Sequence, residues 1–423
     1  MKVLTGIGLS ILMVLFLASE LTYAQSLAKK SYNKGVEYAI QGKFNKAKEE
    51  LEKALKVDQF YTPAELSLKT IKDVIEHKIK RGTAILFFNG TSNANKGQYD
   101  QAISDYSKVL EINPRYVYAY NNRGGVYCDK GQYDQAISDF NKAIEINPRH
   151  ADAYNNRGII YADKSWYNQA ISDFNKALEI NPRDADAYSN RGIVYRNKGQ
   201  YDQAISDFNK AIEMNPRHAD AYNNRGNAYI NKDQYDQAIS DFNKALEINP
   251  RHADAYSNRG NAYINKGRYD QAISDCNKAV EINPRHASAY SNRGLAYFNK
   301  GQYVQAISDY SKVLEINPRD ADVYSNRGLA FINKGLYHRA LSDFNKAIEI
   351  NPRDADAYSN RGVLYFIRLG NKFKGCTDWK KACELGDCRN YNIAKEKGDC
   401  ENGLSDQEQT PKSNVTIKGE QLL

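Results

Sequence analysis

The residues with the most reactive side chains are four cysteines near one end of the chain, Cys376, Cys383, Cys388 and Cys400. Cys376 and Cys383 lie on one predicted helix, about 10 Å apart at 1.5 Å per residue. That distance exceeds the ~7 Å between Cα atoms that a disulfide tolerates. If residues 389–398 form a helix that folds back, Cys388 lies near the end of the preceding helix and Cys400 near its beginning. We therefore predict the disulfides Cys383–Cys388 and Cys376–Cys400.

A zinc site made by all four thiolates is the alternative. Structural zinc sites usually contain pairs of cysteines two to four residues apart, and this segment has no such pair. The remaining cysteines, Cys128 and Cys276, are predicted to be lone thiols, with Cys276 a small residue of the core.

Histidine is the second residue type with chemical potential, and four of the six recur at spacings of 34 or 68 residues: His150, His218, His252 and His286. Helices pack 8–10 Å apart, so histidines in separate helix pairs are too distant to share a metal. The chain contains no G-x-x-x-x-G-K-[ST] or H-E-x-x-H motif and no recognisable nucleophile setting. We predict no catalytic residue, no metal, no cofactor and no small-molecule substrate.

The elements that carry these residues follow from a repeat of 34 residues. Asn-Pro recurs with proline at eight positions: 114, 148, 182, 216, 250, 284, 318 and 352. A period of this length indicates a solenoid. With this proline as position 32, each unit has two apolar stripes at helical spacing, separated by a Lys-Gly-Gln-Tyr turn, which predicts two antiparallel helices.

The residues at fixed positions of the unit resemble the tetratricopeptide repeat family. The unit that begins at residue 219 has this pattern at positions 4, 8, 11, 20, 24, 27 and 32, in the residues Tyr222, Gly226, Tyr229, Ala238, Phe242, Ala245 and Pro250. It departs from the family at position 7, where arginine replaces leucine. The resemblance implies an all-α fold, a right-handed superhelical solenoid of antiparallel helix pairs, whose shared activity is binding proteins or peptides.

The repeat predicts five regions. Residues 1–24 form a signal peptide, and residues 25–82 form a degenerate repeat with a helical insert. Residues 83–354 form eight repeats, the first of them degenerate. Residues 355–400 form an irregular last repeat with a disulfide-linked capping helix, which a solenoid needs to cover its open apolar end. Residues 401–423 are polar and are predicted to be a disordered tail.

Position 6 of the unit lies on the first helix and is asparagine in all eight well-formed units: Asn122, Asn156, Asn190, Asn224, Asn258, Asn292, Asn326 and Asn360. This row is similar to the asparagine ladder in the superhelical domain of O-linked N-acetylglucosamine transferase, which holds an extended peptide by its backbone. A carboxamide both donates and accepts hydrogen bonds, so it suits that role. The alternative is a polar surface residue multiplied by duplication.

Apolar residues at position 12 are predicted to supply side-chain pockets beside this row: Ile230, Ile264, Phe298 and Ile332. The alternative is that they pack on the next repeat. Position 9 also becomes apolar in the later units, with Leu295, Leu329 and Val363. The aspartate at position 2 could attract a basic partner, or it could stabilise a helix start.

The formal net charge of +8 is modest for 423 residues, and no clustered basic face of the kind that nucleic acid requires is evident. An apolar run from Val3 to Ala18, followed by Thr22-Tyr23-Ala24, predicts a signal cleaved before Gln25. The run is shorter than the ~20 residues of a spanning helix, so an uncleaved membrane anchor is the less favoured alternative. We expect an exported protein, periplasmic or secreted, with no stable membrane span after cleavage.

These patterns predict a non-catalytic module that binds other proteins or extended peptides in the concave groove of the superhelix. The alternative is a scaffold for envelope or secretion-machinery assembly that uses its convex face or ends. The arginine at position 7 is expected to serve the fold, and Asp309 or Glu315 is the expected partner of Arg293.

Overall fold

The computed structural model describes residues 26–59 and 61–400. The predicted signal peptide and tail lie outside these residues. The described residues form helices and no β-strand, and no helix among them is long and apolar enough to cross a membrane. The chain divides between Ala255 and Tyr256 into two compact units, which we call the first and second units.

The first three helices precede the regular repeats: α1 (residues 26–40), α2 (Phe44–Val57) and α3 (Thr62–Ile75). The first helices of the following repeats are α4 (Arg81–Asn95), α6 (Val117–Asp129), α8 (Ala151–Asp163), α10 (Ala185–Asn197), α12 (Ala219–Ile230), α14 (Ala253–Asn265), α16 (Ala287–Asn299), α18 (Ala321–Asn333) and α20 (Ala355–Val363). Their second helices are α5 (Tyr99–Ile112), α7 (Tyr133–Ile146), α9 (Tyr167–Ile180), α11 (Tyr201–Met214), α13 (Tyr235–Ile248), α15 (Tyr269–Ile282), α17 (Tyr303–Ile316), α19 (Tyr337–Ile350) and α21 (Lys372–Glu384). The capping helix α22 spans Arg389–Glu396. The predicted all-α solenoid of helix pairs is confirmed.

The two helices of a repeat approach closely because position 8 has no side chain. In the first unit, a Cβ atom added to Gly226 would lie 2.7 Å from Cε1 of Phe242, closer than two carbon atoms can approach. The ring of Phe242 is fully buried, as are Ala238 and Ala245 beside it. The small residues at positions 8, 20 and 27 therefore set the distance between the helices, and the ring at position 24 fills the space between them.

The arginine at position 7 joins three helices. In the second unit, Nε and Nη2 of Arg293 donate to the two carboxylate oxygens of Asp309 at 2.8 and 2.6 Å. Its Nη1 donates to Oδ1 of Asn277 in the preceding repeat at 2.7 Å, and its guanidinium carbon lies 5.2 Å from the ring centre of Tyr290. The pairing with Asp309 selects one of the two predicted partners, since Glu315 pairs with Lys312 instead.

The last repeat contains one extra residue. Arg361 pairs with Asp378, 17 residues further on, whereas Arg327 pairs with Asp343, 16 residues further on. The extra residue lies in a π-helical turn at Leu364–Arg368, the form that inserts a residue into an α-helix. The irregularity that the sequence predicts for the last repeat thus has a structural cause.

Two disulfides join the capping helix to this repeat. Cys376 is bonded to Cys400 and Cys383 to Cys388, with Cα atoms 5.5 and 3.9 Å apart. These are the two pairs expected from the sequence. Cys128 and Cys276 are free thiols, and Cys276 is fully buried at position 24 of its repeat.

Candidate functional site

The candidate site is a surface of the first unit on which the first helices α8, α10 and α12 present the same positions side by side. A cavity of about 540 Å³ lies there. Positions 2, 5, 6 and 9 of these helices and the start of α14 contribute to it, among them Asp186, Asp220, Asp254, Ser189, Asn190, Asn224, Ile159 and Ile193. We call this surface the first-helix groove. Its lining repeats once per 34 residues because every repeat presents the same face.

A second cavity, of about 350 Å³, continues the polar lining of the same unit. Asn121, Asn156 and Asp152 line it from the repeats. Glu65 and Lys69 of α3 line it from the helical insert, which the sequence analysis had not connected with any site. The insert therefore contributes charged side chains to a surface that is otherwise built from repeats.

The asparagine row has a structural use that the sequence analysis did not identify. Nδ2 of Asn156 donates to Oδ1 of Asn121 at 3.1 Å, and Nδ2 of Asn190 donates to Oδ1 of Asn155 at 3.1 Å. In the second unit, Nδ2 of Asn292 donates to the carbonyl oxygen of Ser257 at 3.1 Å. Each bond runs from position 6 to position 5 of the preceding repeat, so these residues connect neighbouring repeats.

All eight residues of the row are half-buried. Asn156, Asn190 and Asn224 line the cavities of the first unit, and Asn360 lines a cavity of the second. A carboxamide has two N–H donors and one acceptor oxygen, and a bond to the preceding repeat uses one N–H. The same side chain can therefore connect two repeats and still hydrogen-bond a ligand.

The apolar residues at position 12 contribute less surface than the sequence predicts. Ile264 is only 8% exposed and is buried together with Ala296 of the next repeat. Ile230 is half-buried, and Phe298 and Ile332 are half-buried against apolar clusters. For Ile264, packing on the next repeat is therefore what the structure shows, and its side chain is unavailable as a groove pocket.

A cavity of about 800 Å³ with both apolar and polar lining residues lies beside the capping helix of the second unit. Val363, Phe366 and Trp379 line it, together with Ile367 and Ile393, which are 55% and 52% exposed. The cavity exists because the π-helical turn and α22 interrupt the regular stacking. No pattern in the sequence predicts this cavity, although the break in the repeat indicates that the segment differs from the others.

Repeat-family models match most of the chain. Models described as tetratricopeptide repeat or TPR repeat match residues 31–61, 94–127, 124–165, 160–199, 185–218, 219–252, 253–286, 276–308, 294–335, 321–354 and 344–382. The chain belongs to the tetratricopeptide repeat family.

Solved structures with this fold cover large parts of the tetratricopeptide array. The Cut9–Hcn1 hetero-tetramer of the APC/C aligns with a TM-score of 0.54 and 18% identity over 88% of this chain and 76% of that one, which shows the fold alone. A tetratricopeptide repeat protein from Parabacteroides merdae aligns with a TM-score of 0.48 and 24% identity over 59% of this chain and 98% of that one. No curated protein matches the sequence.

Carboxylates line both cavities of this tetratricopeptide protein's first unit: Asp186, Asp220 and Asp254 in the first-helix groove, and Asp152, Asp184 and Asp186 in the smaller cavity. Burial and the neighbouring Asp186 and Asp152 raise the pKa of Asp184, which lines the smaller cavity. His252 approaches Asp220, with Nε2 and Oδ1 3.1 Å apart, and this contact lowers the pKa of the Asp220 carboxyl. The cavities thus combine carboxylates with carboxamides.

The same crowding occurs in the second unit. Burial and the carboxylates of Asp320, Asp354 and Asp356 raise the pKa of Asp322. None of the described residues forms a group of three or more metal-ligating side chains. The fold is typically a non-catalytic protein-interaction module, and the first-helix groove offers hydrogen bonds and negative charge at regular intervals.

Proposed function

We propose that the first-helix groove binds extended segments of partner proteins and that it favours segments with basic side chains. The observation that carries this proposal is the repeated lining of the groove, in which each well-formed repeat has a carboxamide at position 6 and six of the eight have a carboxylate at position 2. An extended peptide also presents its backbone groups at a regular spacing, about 3.3 Å per residue. Helices stack 8–10 Å apart, so about three peptide residues correspond to one repeat.

Hydrogen bonds to the backbone cannot provide the affinity alone. Each contributes a net ~1 kcal/mol, while ordering a flexible segment costs about 1–2 kcal/mol per residue. Carboxylates that are crowded together favour a cationic side chain beside them, because opposite charge stabilises their ionised form. The groove of the first unit therefore selects basic segments, and the protein does so without catalysing a reaction.

A matched pair of charge variants tests the proposal. Peptides selected from a displayed random library on the purified protein are measured by calorimetry against Asp186→Asn/Asp220→Asn. The control, Asp134→Asn/Asp202→Asn, makes the same change of charge on the second helices of the same unit, where both carboxylates are exposed. We expect about tenfold weaker binding to the groove variant, since an exposed pair contributes up to ~1 kcal/mol, and little change in the control.

Equal losses in both variants, or a loss in the control alone, would contradict groove binding. That outcome would favour the scaffold alternative, in which the convex face or the ends make the contacts. The salt dependence of binding is a further readout, because interactions between exposed charges are screened at high ionic strength.

We also propose that the protein is exported. The two disulfides of the cap support this, because disulfides persist in oxidising compartments and are rare in the cytosol. Fractionation of the source cells, with mass mapping of the non-reduced protein, tests the location. Recovery only from the cytosol with four free thiols in the cap would refute it.

A further inference from the structure

The first unit contains a cavity of about 680 Å³ that shares no lining residue with the first-helix groove. It lies between the start of α2 and the connection from α3 to α4. Its lining residues fall in two short segments, 42–46 and 74–81. The cavity therefore belongs to the irregular region where the insert joins the repeats, and no regular repeat can reproduce it.

Four cations line this cavity: Lys43, Lys46, Lys80 and Arg81. No Asp or Glu lines it, and none of the four cations forms an ion pair with a described carboxylate. The nearby Glu76 is occupied by Lys78, with Oε2 and Nζ 2.6 Å apart. The charge of the four cations is therefore not neutralised within the described part of the chain.

Within the described part of the chain, their contacts are to neutral groups. Nζ of Lys43 donates to Oε1 of Gln41 at 2.7 Å, and Nη2 of Arg81 donates to the carbonyl oxygen of Gly42 at 2.9 Å. Nζ of Lys46 lies 5.9 Å from the ring centre of Tyr38. These contacts hold the side chains near the cavity and leave their positive charge available to a ligand.

The floor of the same cavity is apolar. Phe44 and Val74 are buried, and Ile75 and Ile79 are partly exposed beside them. The guanidinium carbon of Arg81 lies 5.4 Å from the ring centre of Phe44, so the cationic rim and the apolar floor are in contact. A ligand that satisfies both surfaces carries an anionic group on an apolar body.

We propose that this cavity binds a phosphorylated ligand with an apolar portion. Four cations exceed what a single carboxylate needs, whereas a phosphate carries up to two negative charges and several acceptor oxygens. Lysine binds phosphate as a point charge. One side of the Arg81 guanidinium already donates a hydrogen bond to Gly42. The first N–H groups of α2 and α4 have no carbonyl partner within their helices, and first-turn residues of both helices line the cavity.

A soluble phosphate monoester and a phospholipid headgroup share this chemistry. The probes are therefore phenyl phosphate, titrated by calorimetry, and vesicles of phosphatidic acid, whose headgroup is a phosphate monoester, compared with phosphatidylcholine in a sedimentation assay. The cavity variant is Lys43→Gln/Lys80→Gln, in which glutamine removes the charge and keeps much of the stem. The control variant is Lys56→Gln/Lys72→Gln, which removes two exposed charges of the same unit outside the cavity. Circular dichroism verifies that both variants fold.

We expect the cavity variant to bind one of the two probes at least tenfold more weakly than the wild type, with the control within twofold. A loss with phenyl phosphate identifies a soluble ligand, and a loss restricted to phosphatidic acid vesicles identifies a lipid. Equal behaviour of the two variants with both probes, or no binding to either probe, overturns the proposal. Phenylacetate binding as tightly as phenyl phosphate overturns the preference for phosphate. The result is independent of peptide binding in the groove.

Discussion

Replacing Arg293 by leucine, the residue that the family has at this position, is expected to destabilise the second unit although it inserts an apolar side chain. The side chains of Arg293 and Asp309 are 17% and 6% exposed. Without the guanidinium, Asp309 loses two charge-assisted hydrogen bonds and remains a buried carboxylate. Removing one partner of a buried pair typically costs 3–5 kcal/mol of stability. The aspartate can instead become protonated, which costs about 4 kcal/mol for an ordinary aspartate at pH 7, so the loss of stability is limited to about that value.

The double variant Arg293→Leu/Asp309→Leu separates the pair from the packing. Replacing a buried ion pair by two apolar residues is often neutral or stabilising, so we expect the double variant to recover most of the stability that Arg293→Leu loses. Arg285→Leu is the control, because Arg285 is exposed in the turn before α16. Surface substitutions of this kind change stability by about 0.5 kcal/mol or less.

The assay is native-state hydrogen exchange of the amides in α16 and α17. A repeat array need not unfold in a single step, so the free energy of local opening is the appropriate quantity. A loss below 1 kcal/mol for Arg293→Leu, or a double variant that is no more stable than the single one, would refute the assignment of the pair. Affinity for a groove peptide should not change in any folded variant.

Three further predictions concern stability. Gly124→Ala should lower the free energy of local opening of α6 and α7, measured by hydrogen exchange, by 1–3 kcal/mol because its Cβ would meet a buried ring. The adjacent Gly125→Ala, whose Cβ meets nothing, should raise the same free energy by up to ~1 kcal/mol. Cys376→Ser opens the longer disulfide loop and should destabilise the cap by about 3 kcal/mol, whereas Cys383→Ser opens the shorter loop and should destabilise it by about 2 kcal/mol. Hydrogen exchange of the amides in α22 measures both losses. Asp184→Asn should raise stability at pH 7. The folded state binds the proton of the Asp184 carboxyl more tightly than the unfolded state, so stability falls as pH rises through its raised pKa. The difference in stability between Asp184→Asn and the wild type should therefore shrink as the pH is lowered towards 4.

The helix pairs and the cap were predictable because their signals are local or repeated. Glycine recurs at position 8 of the repeats and phenylalanine usually at position 24, as in Gly226 and Phe242. A pattern repeated at helical spacing indicates which face of each helix packs against its neighbour. The disulfides followed from helix geometry, since Cys376 and Cys383 are too far apart on one helix to bond. The partner of Arg293 was narrowed to two acids from the face of the neighbouring helix.

The candidate site was less predictable. The sequence identified Asn156 and Asn190 as constant but gave no indication that each donates to the preceding repeat, 35 residues earlier. The sequence predicts Ile264 to be a groove residue because periodicity shows which face of a single helix is apolar. Periodicity does not show which part of that helix the next repeat covers. The cavity at Lys43 and Lys80 is lined by residues from two separate segments of the chain. No spacing in the sequence predicts that these two segments lie side by side.

The sequence by itself thus determined the repeat, its two helices, the family and the positions that face the same way, because these depend on spacing along one helix or between equivalent residues. The tertiary structure decided which of those positions stay accessible, which side chains connect neighbouring repeats, and where the regular stacking leaves a cavity. The physical reason is that burial and hydrogen bonding between repeats depend on how successive helix pairs stack. That stacking depends on contacts between repeats, such as the hydrogen bond from Asn190 to Asn155 and the packing of Ile264 with Ala296, and such contacts are not visible in any single repeat.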